Sequence, residues 1–200
     1  MRIGVFGGTF NPPHFGHLHL AREAMEKAAL DKMIFIPCAI PPHKPNLKIP
    51  DGEHRLSMVK LATMGDARFS VSDIEIEAGG KSYTAKTLER LEKIYPHDRL
   101  CFIVGADSLC EMEGWFCPGE IFRRAEIVVA MRGGMNESFL DAAISLLRQK
   151  YKARITKISM AEMEISSSEI RRRIQNGENI ADMVCEEVID YIEKTQIYEG

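Results

Sequence analysis

The sequence predicts an α/β fold, a doubly wound parallel sheet with C-terminal helices, on three observations. Short apolar runs rich in Val, Ile and Phe recur along the chain, stretches with apolar residues at helical spacing lie between them, and Gly, Pro or charge bounds each run. Residues 2–6 (RIGVF), 32–37 (KMIFIP), 100–105 (LCFIVG), 126–131 (EIVVAM) and 153–159 (ARITKIS) read as strands; they are nearly continuous in apolar residues, as parallel strands buried on both faces are. Residues 17–29, 51–64, 83–95 and 136–150 read as helices, with Leu88, Leu91 and Ile94 as one apolar face. The stretch 69–77 (FSVSDIEIE) alternates in places and predicts an extra strand before the turn AGGKS. After Ser166 the chain turns helical: SSSEIRRRIQNG is ended by Gly177, and DMVCEEVIDYIEK follows. There is no internal repeat, so residues 1–200 are expected to form a single domain with a C-terminal helical segment over about 166–200.

Composition narrows the function class. With 200 residues, 45% of them hydrophobic, the chain can bury a sizeable core. A formal net charge of −3 gives no global attraction to nucleic acid, and the basic triplet at 171–173 is local. Five cysteines (Cys38, Cys101, Cys110, Cys117 and Cys185) include no CxxC pair, which points to reduced thiols in a cytoplasmic protein and to neither a disulfide framework nor a zinc knuckle. Cys101, inside an apolar run, reads as a small core residue. No signal peptide or membrane-spanning stretch is expected.

Two stretches carry chemistry. Directly after the first apolar run comes GGTFNPPHFGH (7–17), which is neither a Walker A loop nor a GxGxxG fingerprint. It remains a glycine-rich turn feeding a helix that begins near Phe15 or Gly16, whose first amides and dipole would face an anion flanked by His14 and His17. The spacing of the two histidines could bring their rings near one point. Two histidines without a third ligand make a poor zinc site, so no metal ligand set is assigned; helix capping within a polar crevice is the alternative. The second stretch is ISSSEIRRRI (165–174). Ser166 and Glu169 fit a capping box, which places Ser167 and Ser168 in the first helical turn and Arg171 one turn on. Consecutive hydroxyls beside free amides suit a polyphosphate, although an ordinary cap has the same pattern. Arg172 and Arg173 read as a solvated face.

These two motifs together resemble the HxGH and ISSTxIR pair of the nucleotidyltransferase superfamily. Further stretches, PPHK (41–44), HRLSMV (54–59), SYTAKTL (82–88), FIVGADSL (102–109), Trp115, VVAMR (128–132) and the closing VIDYIEKTQIY, are similar to those of the bacterial nicotinate-nucleotide adenylyltransferase family. The resemblance runs from residue 3 to residue 198 and implies a Rossmann-like nucleotidyltransferase fold. It also implies adenylyl transfer from ATP to nicotinate mononucleotide, giving nicotinate adenine dinucleotide and pyrophosphate in NAD biosynthesis, with Mg²⁺ carried by ATP. The chain departs from the family pattern at Asn11, where Asp is frequent, at Ser168, where Thr is frequent, and at Phe116, where an aromatic hydroxyl is frequent.

By that resemblance, His14, His17 and Arg171 are catalytic, and with Ser166, Ser167 and Ser168 they hold the phosphates of ATP. Gly8, Thr9, Phe10, Gly105, Asp107 and Ile165 line the adenosine side. His43, Lys44, Tyr83, Thr84, Trp115 and Arg132 surround the mononucleotide. The chemistry agrees: Trp115 offers a stacking face to a pyridine ring, Lys44 or Arg132 offers charge, and Asp107 can accept from ribose hydroxyls. Trp115 as a core or interface anchor and Asp107 as a strand-end cap are the plainer alternatives. A pantetheine-phosphate or nicotinamide-mononucleotide acceptor and a nucleotide sensor without turnover are the rival functions. The expected partners are small molecules, with no nucleic acid and no membrane; homo-oligomerisation is left open.

Overall fold

Strand and helix alternate through the computed structural model, which describes residues 1–41, 49–131, 137–161 and 163–198. The strands are β1 (Arg2–Gly8), β2 (Lys32–Pro37), β3 (Phe69–Val71), β4 (Arg99–Gly105), β5 (Ala125–Met131) and β6 (Ile155–Ser159). They form one parallel sheet in the order β3-β2-β1-β4-β5-β6. Ile3 lies opposite Leu100, Phe102 opposite Ile127, and Ile127 opposite Ile155, so apolar residues face each other across the ladder. The order runs outward in opposite directions from β1 and β4. In open sheets of this kind, ligands bind beyond the carboxyl ends of the strands where the order reverses. β1 is the strand that feeds the glycine–proline–histidine loop.

The helices are α1 (Phe15–Lys27), α2 (Gly52–Thr63), α3 (Ile74–Ala78), α4 (Thr84–Ile94), α5 (Ala106–Glu111), α6 (Pro118–Arg124), α7 (Glu137–Tyr151), α8 (Ser167–Gln175) and α9 (Glu186–Thr195). The expected strand over 69–77 is corrected: it stops at Val71. The Ser72 hydroxyl accepts the Ile74 amide at 3.3 Å, the local bond by which serine competes with a ladder, and the chain winds into α3. The short α5 and α6 give too few turns for a periodic signal, and Pro118 stands in the first turn of α6, where its missing amide costs nothing. α8 ends as expected: Gly177 takes φ 66°, a left-handed conformation open to glycine without a Cβ penalty.

Close packing divides the chain into two compact units, one of Met1–Phe6, Arg22–Ile34 and Tyr83–Glu162, the other of Gly7–Ala21, Phe35–Ser82 and Met163–Gly200. In the first, Ile3, Leu88, Ile103, Leu109, Val128 and Leu140 are buried. Its polar staple is Arg2, whose guanidinium donates to both carboxylate oxygens of Glu126 at 3.1 and 3.2 Å while the Thr156 hydroxyl donates to the same carboxylate at 2.6 Å. Burial pushes the Glu126 pKa up, but these hydrogen bonds outweigh it and hold the group below the ordinary value. Cys101 is the core residue expected, its thiol pushed by burial up to about 11.

In the second unit, Met58 of α2, Ile170 of α8, and Val188 and Ile192 of α9 form an apolar cluster with Ile180, Met183, Val184 and Tyr198. That cluster seats the N-terminus of α8. No helix among the described residues is long and apolar enough to cross a membrane.

Ile170 is completely buried, so Ile170→Ala is expected to lower the unfolding free energy by about 2–5 kcal/mol in urea denaturation. Arg172→Ala, at an exposed position, is expected to leave the midpoint where it was. Equal midpoints for the two variants would show that α8 does not belong to the core.

Candidate active site

The second unit contains both motifs in full. The Gly8 carbonyl at the end of β1 accepts the Cys38 amide at 2.9 Å, and the chain then turns through Phe10 at φ 48°. That left-handed conformation is unfavourable for a bulky residue. It persists because the ring is only 2% exposed, packed near Phe35 and edge-on to His17 at 5.0 Å. After the cis Asn11–Pro12 bond, the His14 carbonyl accepts the amides of His17 and Leu18 and opens α1.

The two histidines meet as their spacing allows: ring centroids 3.8 Å apart, planes inclined by 35°, with His14 only 8% exposed. Gly16 makes this arrangement possible, since a Cβ there would stand 3.0 Å from His14 Nδ1. The backbone amide of His14 donates to His17 Nδ1 at 3.2 Å. Nδ1 is therefore an acceptor, and a neutral His17 carries its proton on Nε2, where it can be donated.

Ser166 caps α8, its hydroxyl accepting the Glu169 amide at 3.2 Å. The expected capping box is corrected to half of one. The Glu169 carboxylate does not return to the cap; Arg172 and Arg173 take it and hold it down at about 2. Arg172 also pairs with Glu178 and Arg173 with Asp182, the solvated face expected of them.

The inner side of α8 joins the two motifs. The Ser167 hydroxyl donates to the Pro12 carbonyl at 2.9 Å. Arg171 Nη1 donates to the Asn11 carbonyl at 2.7 Å and to the Ser167 carbonyl at 3.1 Å, while Nη2 donates to Ser168 Oγ at 3.3 Å. The Tyr198 hydroxyl donates to Asn11 Oδ1 at 2.7 Å, and burial holds its pKa well above the usual phenol value. The Ile165 carbonyl would lie 3.8 Å from a Cβ at Gly16. Hence Thr9, Phe10, His14 and His17 share one unit with Ile165, Ser166, Ser167, Ser168 and Arg171. The first-turn amides of α8, one guanidinium and two imidazoles form a donor set suited to an anion.

Arg55, Asn11 and Tyr198 also belong here; they lie in stretches that carry the resemblance, but none of them was assigned to the site. Arg55 is completely buried and donates to three backbone carbonyls, Pro50 at 3.0 Å, Thr9 at 2.9 Å and Ala39 at 3.0 Å. A charged residue flanked by Leu56, Met58 and Val59 on a helix was the available signal.

The remaining expected site residues that are described lie in the first unit. Gly105 ends β4 and precedes α5, with Asp107 exposed in the first turn. Tyr83 precedes α4, which Thr84 begins. Its ring lies 4.7 Å from that of Phe116, with Lys86 Nζ 5.5 Å from its centroid. Trp115 is half-buried, edge-on to Phe102 at 6.2 Å. His43, Lys44 and Arg132 lie outside the described residues. Among the described residues, no group of three or more His, Cys, Asp or Glu could hold a metal ion.

The cytidylyltransferase-like family model matches residues 5–173. A curated relative from Carboxydothermus hydrogenoformans, named as a probable nicotinate-nucleotide adenylyltransferase, is 43% identical over 197 residues, covering 98% of each chain. One of the same name from Clostridium beijerinckii is 44% identical over 201 residues, again covering 98% of each. Among solved structures, the Plasmodium falciparum nicotinic acid mononucleotide adenylyltransferase complexed with NaAD superposes with a TM-score of 0.80 at 18% identity, covering 99% of this chain and 97% of that one; it supports the fold. With the model spanning both motifs and such identity over nearly the whole length, the chain belongs to the cytidylyltransferase-like family, among the nicotinate-nucleotide adenylyltransferases.

Proposed function

We propose that the chain transfers the adenylyl group of ATP to the 5′-phosphate of nicotinate mononucleotide, forming nicotinate adenine dinucleotide and pyrophosphate as a cytoplasmic step of NAD biosynthesis. Residues 1–200 act together as the catalytic domain. The observation that carries this reading is the junction of the two motifs, in which Arg171 and Ser167 of α8 bind the carbonyls of Asn11 and Pro12 a few residues before His14 and His17. The names of the relatives, at about two-fifths identity, supply the acceptor.

An acceptor phosphate oxygen attacks the α-phosphorus, the new P–O bond forms, and the bond to the β-phosphate breaks with pyrophosphate as leaving group. The nucleophile is already an anion, since the second phosphate pKa is about 6, so no strong general base is needed. The protein's tasks are alignment of two anions and stabilisation of the charge that develops on phosphate oxygens. His17 Nε2–H and His14 are assigned to the oxygens around the α-phosphorus. The first-turn amides of α8, Ser168 and the remaining Arg171 donors are assigned to the leaving side. The Ser167 hydroxyl hydrogen is held by Pro12, so Ser167 contributes through its amide. Ser166 acts as the cap that keeps those amides in place.

Gly8, Thr9, Phe10 and Ile165 are proposed for the adenosine, as are Gly105 and Asp107. Tyr83, Thr84 and Trp115 are proposed for the mononucleotide, with His43, Lys44 and Arg132. Mg²⁺ enters with the triphosphate as part of the substrate.

Pure protein given Mg-ATP and nicotinate mononucleotide is expected to release pyrophosphate and form one dinucleotide by chromatography; absence of both from folded protein refutes the reading. His17→Ala is expected to lower kcat by about 10²–10³-fold, the usual loss of one oxyanion donor. A variant of unchanged kcat would remove His17 from the reaction.

The His14 amide bond to His17 Nδ1 predicts a neutral donor. The rate should rise as the acceptor phosphate loses its second proton near pH ~6 and then stay level to about pH 8.5. A decline through the imidazole range that His17→Asn abolishes would instead show that an imidazolium is required.

A further inference from the structure

We propose that Arg55 is a positioning residue for the adenylyl-transfer reaction, its guanidinium fixing the Thr9 turn by tying the exits of β1 and β2 to the start of α2. The inference rests on the transfer reading above. Three donors of one planar group reach three carbonyls: Thr9, directly after β1, Ala39, two residues after β2, and Pro50, two residues before α2. No ion-pair partner of Arg55 is found among the described residues, so the group is held by three peptide oxygens and, more weakly, by Cys38 Sγ at 3.9 Å from Nη1.

A core position on α2 does not call for this. Leu56, Met58 and Val59 around it are ordinary apolar residues, and a buried cation is costly to desolvate. What the guanidinium supplies, and an apolar side chain cannot, is a rigid fork. It holds three chain segments in register where the phosphate-facing turn begins. The Ala39 amide, in turn, donates to Ser82 Oγ at 2.9 Å, so the fixed point extends to a further segment of the same unit. Thr9 lies five residues before His14, and the Phe10 ring touches His17 edge-on, so displacement of the Thr9 carbonyl is passed to the imidazole. The burden falls on alignment rather than on affinity, because Arg55 itself is fully enclosed and touches no solvent.

The test uses Arg55→Lys, which keeps the charge and loses the fork, and Arg55→Ala with and without about 10 mM guanidinium. Arg55→Lys is expected to lower kcat about 10–100-fold, the usual effect of a small misplacement, with the KM for ATP within about threefold and the Mg-ATP-induced rise in melting temperature retained. Guanidinium is expected to restore part of the lost kcat to Arg55→Ala and none to the unsubstituted chain. Failure of Arg55→Ala to fold leaves the decision to Arg55→Lys. An Arg55→Lys chain with unchanged kcat, or one losing kcat and the Mg-ATP rise together, overturns the positioning role. An unsubstituted chain that shows the Mg-ATP rise but forms no dinucleotide overturns the transfer reading first, and the role of Arg55 with it.

Discussion

The contact on which the site depends is the hydrogen bond from Arg171 to the Asn11 carbonyl, at 2.7 Å between residues 160 positions apart. Without it, the loop after β1 and the N-terminus of α8 are separate anion-attracting features of a common kind. With it, and with the Ser167 bond to Pro12, the helix end is registered against the imidazoles. A charge-assisted bond of this type is worth about 1.5–3 kcal/mol, a large share of the few kcal/mol by which such a domain is stable. The same contact reduces what Arg171 can give to a ligand, since one Nη already serves two carbonyls. Arg171 is thus a structural bridge first, and only its remaining donors are left for the phosphate role proposed above.

Further anchors support that bridge from below. The apolar cluster under α8 decides where its first turn stands, and Ile170 faces that cluster while its neighbours Glu169 and Arg171 face elsewhere. Arg172 and Arg173 pair with Glu169, Glu178 and Asp182 on the outer surface, so three adjacent arginines have separate fates. The helical period assigns them: only Arg171 falls on the side of Ser167 and Ser168 that meets Asn11. A positive sequence run is therefore a poor guide to charge at the site, and position around the helix is a good one.

The sheet was legible because β1, β2, β4 and β5 are buried on both faces and read as apolar runs, and the longer helices were legible from their period. Short elements between β4 and β5 were not, since two turns give no period to count. The strand expected over 69–77 ends at Val71; the Ser72 hydroxyl takes the Ile74 amide and the chain winds into α3. At the site, glycine, histidine and serine stood out because few other roles need that mixture. The roles of Arg55 and Tyr198, inside stretches that carried the resemblance, did not, because their partners are oxygens of Thr9, Ala39, Pro50 and Asn11, mostly remote in sequence and mostly of the backbone. Backbone acceptors leave no residue-type signature.

At two departures from the family pattern, residues 11 and 168, the contacts made use atoms that both residue types possess. Arg171 reads the carbonyl of residue 11 and is indifferent to its side chain; Tyr198 reads only Oδ1, which Asn and Asp both possess. Asn11 differs in its other atom: Nδ2 is buried and has no hydrogen-bond partner among the described residues, where aspartate would place a second, charged oxygen. The cost is an unsatisfied neutral donor instead of a buried charge, and a neutral group is the cheaper of the two to leave unpaired. At Ser168, the contact made is acceptance of a hydrogen bond from Arg171 at 3.3 Å, which needs a hydroxyl and not the extra methyl of threonine. At both positions, then, the contacts described are ones that aspartate and threonine would also make.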